Sequence, residues 1–177
     1  AKWNVDEGVI VENVEWPTPI TIPYPPLMTF GYEGDVVFPF KVFRSLDLEL
    51  SSINVDFDFL ICADICIPEK ASLTLDLSSK TPNVLVDEAI QQLPLKIIQT
   101  DSVVEGDSLK TKFKFSQPIQ DAYLFPRQDN LFAYTPTQQL VSLGDDLYEI
   151  TVPVLNDEVA SFSGILSING EGFQIEE

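Results

Sequence analysis

Alternation of apolar and polar residues dominates the chain and predicts β-strands. Segment 71–78 places its leucines on one face of an extended chain. Segment 109–116 places Leu109, Phe113 and Phe115 on one face and its lysines on the other, which is typical of a half-buried antiparallel strand. Strands are predicted over the segments that share such alternation or a β-branched and aromatic composition: 34–43, 46–62, 71–78, 109–116, 147–155 and 162–168.

One segment, 81–94, has helical spacing instead. Thr81 is a candidate N-cap and Pro82 suits a first helical turn. The apolar residues that share one helical face are Val86, Ile90 and Leu93. Short strands separated by turns, with 13 prolines in the chain, are typical of β-sandwich modules. A module boundary is expected near 94–101, where a second series of β-segments begins.

Charge restricts the classes of partner. The 177 residues include 28 acidic and 10 basic side chains, which gives a net charge of −18. This field repels phosphate backbones and anionic lipid surfaces, so nucleic-acid binding and electrostatic membrane binding are not expected. The charge also promotes solubility, and it could steer the protein towards a less acidic partner.

The absence of histidine from the sequence excludes several kinds of catalytic site. Histidine-based general acid–base chemistry and serine–histidine or cysteine–histidine nucleophile pairs are excluded. Two cysteines cannot complete a four-ligand zinc site without carboxylates, and the sequence contains no nucleotide-binding glycine motif. We therefore expect neither a metal nor a cofactor. No run of 18 apolar residues occurs, so no membrane-spanning helix is predicted.

The only two cysteines, Cys62 and Cys66, lie within the apolar stretch FLICADICIPEK. In a straight strand their Cα atoms would be about 13 Å apart, whereas a disulfide needs them within about 7 Å. If the cysteines are bonded, segment 63–65 must turn, so that Cys62 ends one strand and Cys66 begins the next. Both sulfurs would then lie at the tip of a hairpin.

Three interpretations of this pair are compatible with the residues. The cysteines could be free, buried apolar side chains, or they could form a permanent structural disulfide, or they could form a redox-active pair. A disulfide that closes so short a loop removes only about 2 kcal/mol of unfolded-chain entropy, against about 4.7 kcal/mol for a 100-residue loop. The small stabilisation favours reversible chemistry over a structural bond.

Charged residues near the cysteines bear on their reactivity. Asp64 lies between them and Glu69 follows them, while the nearest cation in sequence is Lys70. Carboxylates disfavour a nearby thiolate, so a strongly acidic thiol is not expected. The disulfide would instead be attacked by a partner's thiolate. Asp64 is a candidate proton acceptor, although aspartate is equally typical of turns.

These residues resemble a known family. The stretch FLICADICIPEK, preceded by FGYEGDVVFPFKV, is similar to the N-terminal periplasmic domain of the DsbD/ScsB thiol:disulfide interchange proteins. The segment WNVDEGVIVENVEWPTPITIP also resembles this family. The resemblance covers residues 1–95 well and 96–177 more loosely.

The resemblance implies an all-β fold, with an immunoglobulin-like β-sandwich domain over 1–95, a second, smaller β-rich domain over 96–177 and one short helix between them. It implies a periplasmic domain of an inner-membrane protein that acts as a protein-disulfide reductase. Electrons would come from a thioredoxin-like domain of the same membrane protein and pass to periplasmic thioredoxin-fold proteins.

The resemblance also implies roles for particular residues. Cys62 and Cys66 match the active pair, with Cys66 expected to attack the target and Cys62 to resolve the mixed disulfide. Phe30, Gly31 and Tyr32 fall where the family has a cap loop that shields the disulfide. Burial in the core is the alternative for the two aromatic side chains.

A competing hypothesis is an extracytoplasmic β-sandwich binding module with a structural disulfide. Trp3 and Trp16 could stack on sugars if they are exposed, whereas core burial is the ordinary fate of tryptophan. A chaperone-like domain that presents a sheet edge is a third possibility, which no sequence feature favours.

Overall fold

The computed structural model describes residues 1–24, 27–45, 52–63, 65–77, 83–128, 131–132, 138–155 and 162–176. Within these ranges the chain forms fourteen strands and one helix. The elements are β1 Lys2–Asn4, β2 Val9–Asn13, β3 Ile20–Tyr24, β4 Leu27–Gly31, β5 Phe40–Arg44, β6 Ser52–Cys62, β7 Cys66–Asp76, α1 Val84–Gln91, β8 Thr100–Glu105, β9 Ser108–Lys114, β10 Ala122–Pro126, β11 Gln139–Gly144, β12 Leu147–Pro153, β13 Ser163–Ile168 and β14 Glu171–Glu176.

The predicted all-β class with one short helix is confirmed for the part of the chain that the structure describes. Every pairing between named strands is antiparallel. Two strands begin well away from their predicted first residues. β5 begins at Phe40 and not at residue 34, directly after Pro39, which has no N–H to donate to a ladder. β7 begins at Cys66, well before residue 71, because it pairs with β6 along its whole length.

The helix is shorter than predicted and has a different cap. The side-chain oxygen of Asn83 accepts a hydrogen bond from the backbone N–H of Leu85 at 3.1 Å, so Asn83 is the N-cap. The predicted cap Thr81, together with Pro82, lies outside the described residues. Of the predicted apolar face, Leu93 lies beyond the helix but is buried.

By its internal contacts the chain divides into two units, each built from two separate stretches of sequence. The first unit contains Ala1–Val14 and Pro39–Glu88, and the second contains Glu15–Phe38 and Ala89–Glu177. Glu15–Phe38 thus groups with the C-terminal strands, and in this division the second unit is the longer one. A linear division into domains 1–95 and 96–177 remains a prediction.

The second unit contains a four-stranded sheet of order β11-β12-β9-β8 and a three-stranded sheet of order β10-β13-β14. The alternation predicted for β9 is confirmed, because Leu109 and Phe113 are buried while the lysines between them are not. Side chains of both sheets form one buried cluster, including Phe113 and Ile150 from the first sheet and Leu166 from the second. Each fully buried aliphatic side chain contributes roughly 1.5–3 kcal/mol to folding.

The first unit contains a three-stranded sheet of order β1-β6-β7 and the pair β2-β5. Its buried apolar side chains, among the described residues, are Val9, Pro39, Ile53 and Val55. Strand β1 pairs with β6 only at Asn54, Val55 and Asp56. The hairpin of β6 and β7 therefore continues beyond β1 as a two-stranded extension, which ends at the cysteines.

Candidate functional site

The two cysteines form a disulfide at the end of the β6–β7 hairpin. Their Cα atoms lie 4.0 Å apart, and Cys62 is directly opposite Cys66 in the ladder. The backbone N–H of Ala63 donates to the carbonyl of Ile65 at 3.1 Å within the turn. The hairpin predicted from the cysteine spacing is confirmed, and of the three interpretations, free buried cysteines are excluded.

The disulfide is accessible to solvent. Cys62 is exposed and Cys66 is only partly buried. The last six ladder pairs, from Phe57 opposite Ala71 to Cys62 opposite Cys66, extend beyond β1 over about 17 Å. We call this part of the hairpin the arm. An incoming thiolate needs direct access to a sulfur atom, and a disulfide at the end of such an arm gives it.

Cross-strand contacts hold the base of the arm on the face that also carries the sulfurs. The hydroxyl of Ser72 donates to Asp56 Oδ1 at 2.6 Å, and Asn4 Nδ2 donates to Asp56 Oδ2 at 3.0 Å. The hydroxyl of Thr74 donates to Asn54 Oδ1 at 2.7 Å. The hydrogen bonds from Ser72 and then Asn4 lower the pKa of Asp56, so this cluster keeps an ionised carboxylate.

One ion pair lies between that cluster and the disulfide. Lys70 Nζ lies 2.7 Å from Asp58 Oδ1, and the two residues are directly opposite in the ladder. The hydrogen bond to Asp58 raises the pKa of Lys70, so the ammonium group stays charged and engaged with the carboxylate. Lys70 is therefore paired four residues along the strand from Cys66.

The register also places the predicted neighbouring carboxylates. Residues on β7 alternate between faces, so Glu69 lies on the face opposite to that of Cys66 and Lys70. Glu69 thus points away from the sulfur-bearing face. Asp64, the candidate proton acceptor, lies outside the described residues.

Sequence reasoning missed the apolar surroundings of the disulfide. Leu60, Ile61, Ile65 and Ile67 are all exposed, at 63%, 57%, 64% and 49%. A hairpin was predicted here from the cysteine spacing, but the exposure of these apolar side chains was not. The sequence does carry a signal for the cross-strand pairing. Residues at equal distances before and after position 64 pair across the hairpin, as Leu60 does with Pro68.

The predicted cap residues lie on and beside β4 in the second unit. Phe30 packs edge-on against Tyr123 and Phe125, with ring centroids 5.7 and 5.1 Å apart. A Cβ atom at Gly31 would lie 3.1 Å from Ile22 Cδ1, so a larger residue would require the Ile22 side chain to shift. The shielding role of these residues remains a prediction.

Both the hydroxyl group and the ring of Tyr32 make contacts that hold its side chain in place. Its hydroxyl donates to the carbonyl of Pro17 at 2.8 Å, and its ring contacts Phe38 at 5.2 Å. Burial raises its pKa to about 12. Trp16 also contacts Phe38, with ring centroids 5.0 Å apart, so Phe38 joins the two side chains into one aromatic cluster.

The two tryptophans of the competing hypothesis have different surroundings. Trp16 is 48% exposed. Trp3 is partly buried in the first unit, where it packs edge-on against Phe40 at 4.9 Å.

A match to a known protein family tests the resemblance predicted from the sequence. Residues 1–78 match the family described as thiol:disulfide interchange protein DsbD, N-terminal. The predicted resemblance is confirmed. The DsbD N-terminal match includes β6, the disulfide and all of β7. The match and the bonded cysteines together support a thiol:disulfide interchange domain.

A solved structure extends the likeness beyond the DsbD N-terminal match. The chain is similar to the crystal structure of the N-terminal periplasmic domain of ScsB from Proteus mirabilis, with a TM-score of 0.75 and 24% identity. The similarity covers 99% of this chain and 74% of that chain. At this identity it shows the fold, including that of the C-terminal strands. A comparison with curated proteins found no match.

No cluster of three or more potential ligand side chains suited to a metal ion occurs in the described part of the chain. None of the described helical structure is long and apolar enough to cross a bilayer.

Proposed function

We propose that this protein is a periplasmic thiol–disulfide exchange module. It accepts two electrons from a membrane-bound thioredoxin-like donor and passes them to periplasmic thioredoxin-fold proteins that carry a disulfide. The observation that carries the proposal is the solvent-accessible Cys62–Cys66 disulfide at the tip of a projecting hairpin, within residues that match an interchange family. A stable disulfide also fits an oxidising compartment such as the periplasm.

The exchange has two halves that balance. A donor thiolate attacks one sulfur of the disulfide, the other sulfur leaves as a thiolate and takes a proton, and the donor's second thiol then releases the mixed disulfide. The donor becomes a disulfide, and this protein gains two electrons and two protons. In the second half, Cys66 attacks the target's disulfide and Cys62 resolves the mixed disulfide. Both electrons thereby pass to the target, and the Cys62–Cys66 disulfide forms again.

Residues other than the cysteines also have proposed roles in the exchange. Asp64 is proposed to accept the proton of the attacking thiol. Phe30, Gly31 and Tyr32 are proposed to shield the disulfide until a partner docks.

Trapping of mixed disulfides tests the function. In the Cys62→Ser variant of the full chain, Cys66 attacks an oxidised thioredoxin-fold protein and no resolving thiol is present. A covalent complex that dithiothreitol dissolves should therefore accumulate on a non-reducing gel. The matched Cys66→Ser variant should accumulate much less complex, because the remaining thiol is the resolving one.

The possible outcomes separate the function from the order of attack. Accumulation only with Cys66→Ser would keep the exchange function and reverse the roles of the two cysteines. If neither variant forms a complex that a reductant dissolves, the exchange function is refuted.

A further inference from the structure

The tip of the arm carries an apolar surface that the fold itself does not use. Five apolar residues surround the disulfide, and we call them the collar: Leu60, Ile61, Ile65, Ile67 and Pro68. All five are exposed. Single exposed apolar side chains are normal on protein surfaces, whereas a contiguous exposed group marks an interaction site.

The collar covers both faces of the hairpin. Leu60 is directly opposite Pro68 on the face that carries the sulfurs, and Ile61 is directly opposite Ile67 on the other face. Ile65 lies in the turn itself. The tip is thus an apolar wedge that could enter a groove and make contacts on both sides.

Charges near the collar are few or already paired. Asp58 and Lys70 neutralise each other immediately below the Leu60–Pro68 pair. Glu69 lies on the opposite face of β7 from the sulfurs. On the face that carries the sulfurs, the described part of the tip therefore presents an apolar, nearly neutral surface on a molecule whose net charge is −18.

The chemistry at the tip limits what can occupy this surface. Exchange requires a partner that brings a thiolate to a sulfur of the disulfide. A second copy of this chain would bring another disulfide and a second charge of −18, which opposes association. A small polar thiol would reach the sulfurs without burying the collar. The fitting occupant is a protein with a reactive cysteine beside an apolar groove.

We propose that the collar is the docking surface for the thioredoxin-fold partner, and that Leu60 is a principal contact in it. This inference rests on the proposed exchange function and deepens it. Docking buries the collar in the partner's groove and aligns the partner's thiolate with the disulfide. The collar therefore accelerates exchange with a protein thiol but not with a small thiol.

Rates of disulfide reduction by two reductants test this inference. The probes are a reduced bacterial thioredoxin and dithiothreitol, each applied to the full chain and to its Leu60→Ser variant. Leu73→Ser is the matched control, because Leu73 is a similarly exposed leucine, at 56%, in the same hairpin and outside the arm. Circular dichroism verifies that each variant is folded.

Leu60→Ser should slow reduction by thioredoxin at least about fivefold, which is the loss typical of a significant interface contact. Its rate with dithiothreitol, and both rates of Leu73→Ser, should equal those of the unaltered chain. An unchanged rate of Leu60→Ser with thioredoxin would overturn the docking role. Equal slowing with both reductants would also overturn it, because the side chain would then act on the disulfide itself.

The experiment distinguishes a wrong docking role from a wrong exchange function. If thioredoxin does not reduce the unaltered chain at all while dithiothreitol does, then exchange with such partners is itself refuted. Concentration-dependent self-association that disappears in Leu60→Ser would assign the collar to a second copy and overturn the proposal.

Discussion

Tyr32 shows how one side chain is fixed by burial and by a single hydrogen bond. Its hydroxyl is a donor to the carbonyl of Pro17, and this role requires the protonated form. Burial raises the pKa of Tyr32 to about 12, above the ordinary value near 10. The folded protein therefore keeps this proton at pH values at which the unfolded chain has lost it.

Stability should consequently depend on Tyr32 in alkaline solution. The contribution of its raised pKa is fully present below pH 10 and is lost as the pH rises towards about 12. Tyr32→Phe should thus show a weaker decline of the unfolding free energy over this range than the unaltered chain. It should also remove a late component from the absorbance titration of the five tyrosines.

The unaltered chain, titrated and unfolded under the same conditions, is the reference for both measurements. If Tyr32→Phe leaves the titration curve and the alkaline stability unchanged, Tyr32 is not held as the structure indicates.

The cysteine pair was predictable at the residue scale because its spacing permits few geometries. Two sulfurs four residues apart can bond only if the chain turns between them, and the structure has that turn. The exposure of Leu60 and Ile65 was not predictable, because an apolar run does not reveal whether another layer of the fold covers its side chains.

At the scale of elements, strands with clear alternation were predictable and those without it were not. β9 alternates strictly, and its predicted buried face is confirmed at Leu109 and Phe113. β3 contains Pro23, which has no N–H to donate to a ladder, yet β3 forms a short pair with β4. An edge position tolerates a proline because one side of the strand needs no N–H donor.

The hairpin should survive loss of its disulfide. The ladder of β6 and β7, the Asp58–Lys70 pair and the hydrogen bonds around Asp56 all remain when the sulfurs separate. Closing so short a loop stabilises the fold by only about 2 kcal/mol in the chain-entropy description. Reduction should therefore lower the unfolding free energy by no more than about this amount.

Urea unfolding with and without a reductant measures this difference, and the Cys62→Ala/Cys66→Ala double variant is the control for side reactions of thiols. A reduced protein that is unfolded without denaturant would show a structural disulfide that holds the domain together. Such a protein could not carry electrons in a folded, reduced state.

At the scale of the whole molecule, the class of fold followed from the sequence, but the grouping of its segments did not. Strand periodicity predicts sheets but is silent on which distant segments pack together. Glu15–Phe38 joins the second unit through contacts such as those of Phe30 with Tyr123 and Phe125. These contacts join residues far apart in sequence, and no local pattern marks them.

The reduction potential of the Cys62–Cys66 pair tests the central claim most directly. Equilibration of the full chain with thiol–disulfide buffers of known potential, followed by alkylation and mass measurement, gives the fraction reduced at each potential. A working exchange pair should have a value above about −300 mV, within the range of known exchange proteins at roughly −270 to −120 mV. A value below about −300 mV would identify an inert structural bond and contradict the exchange function.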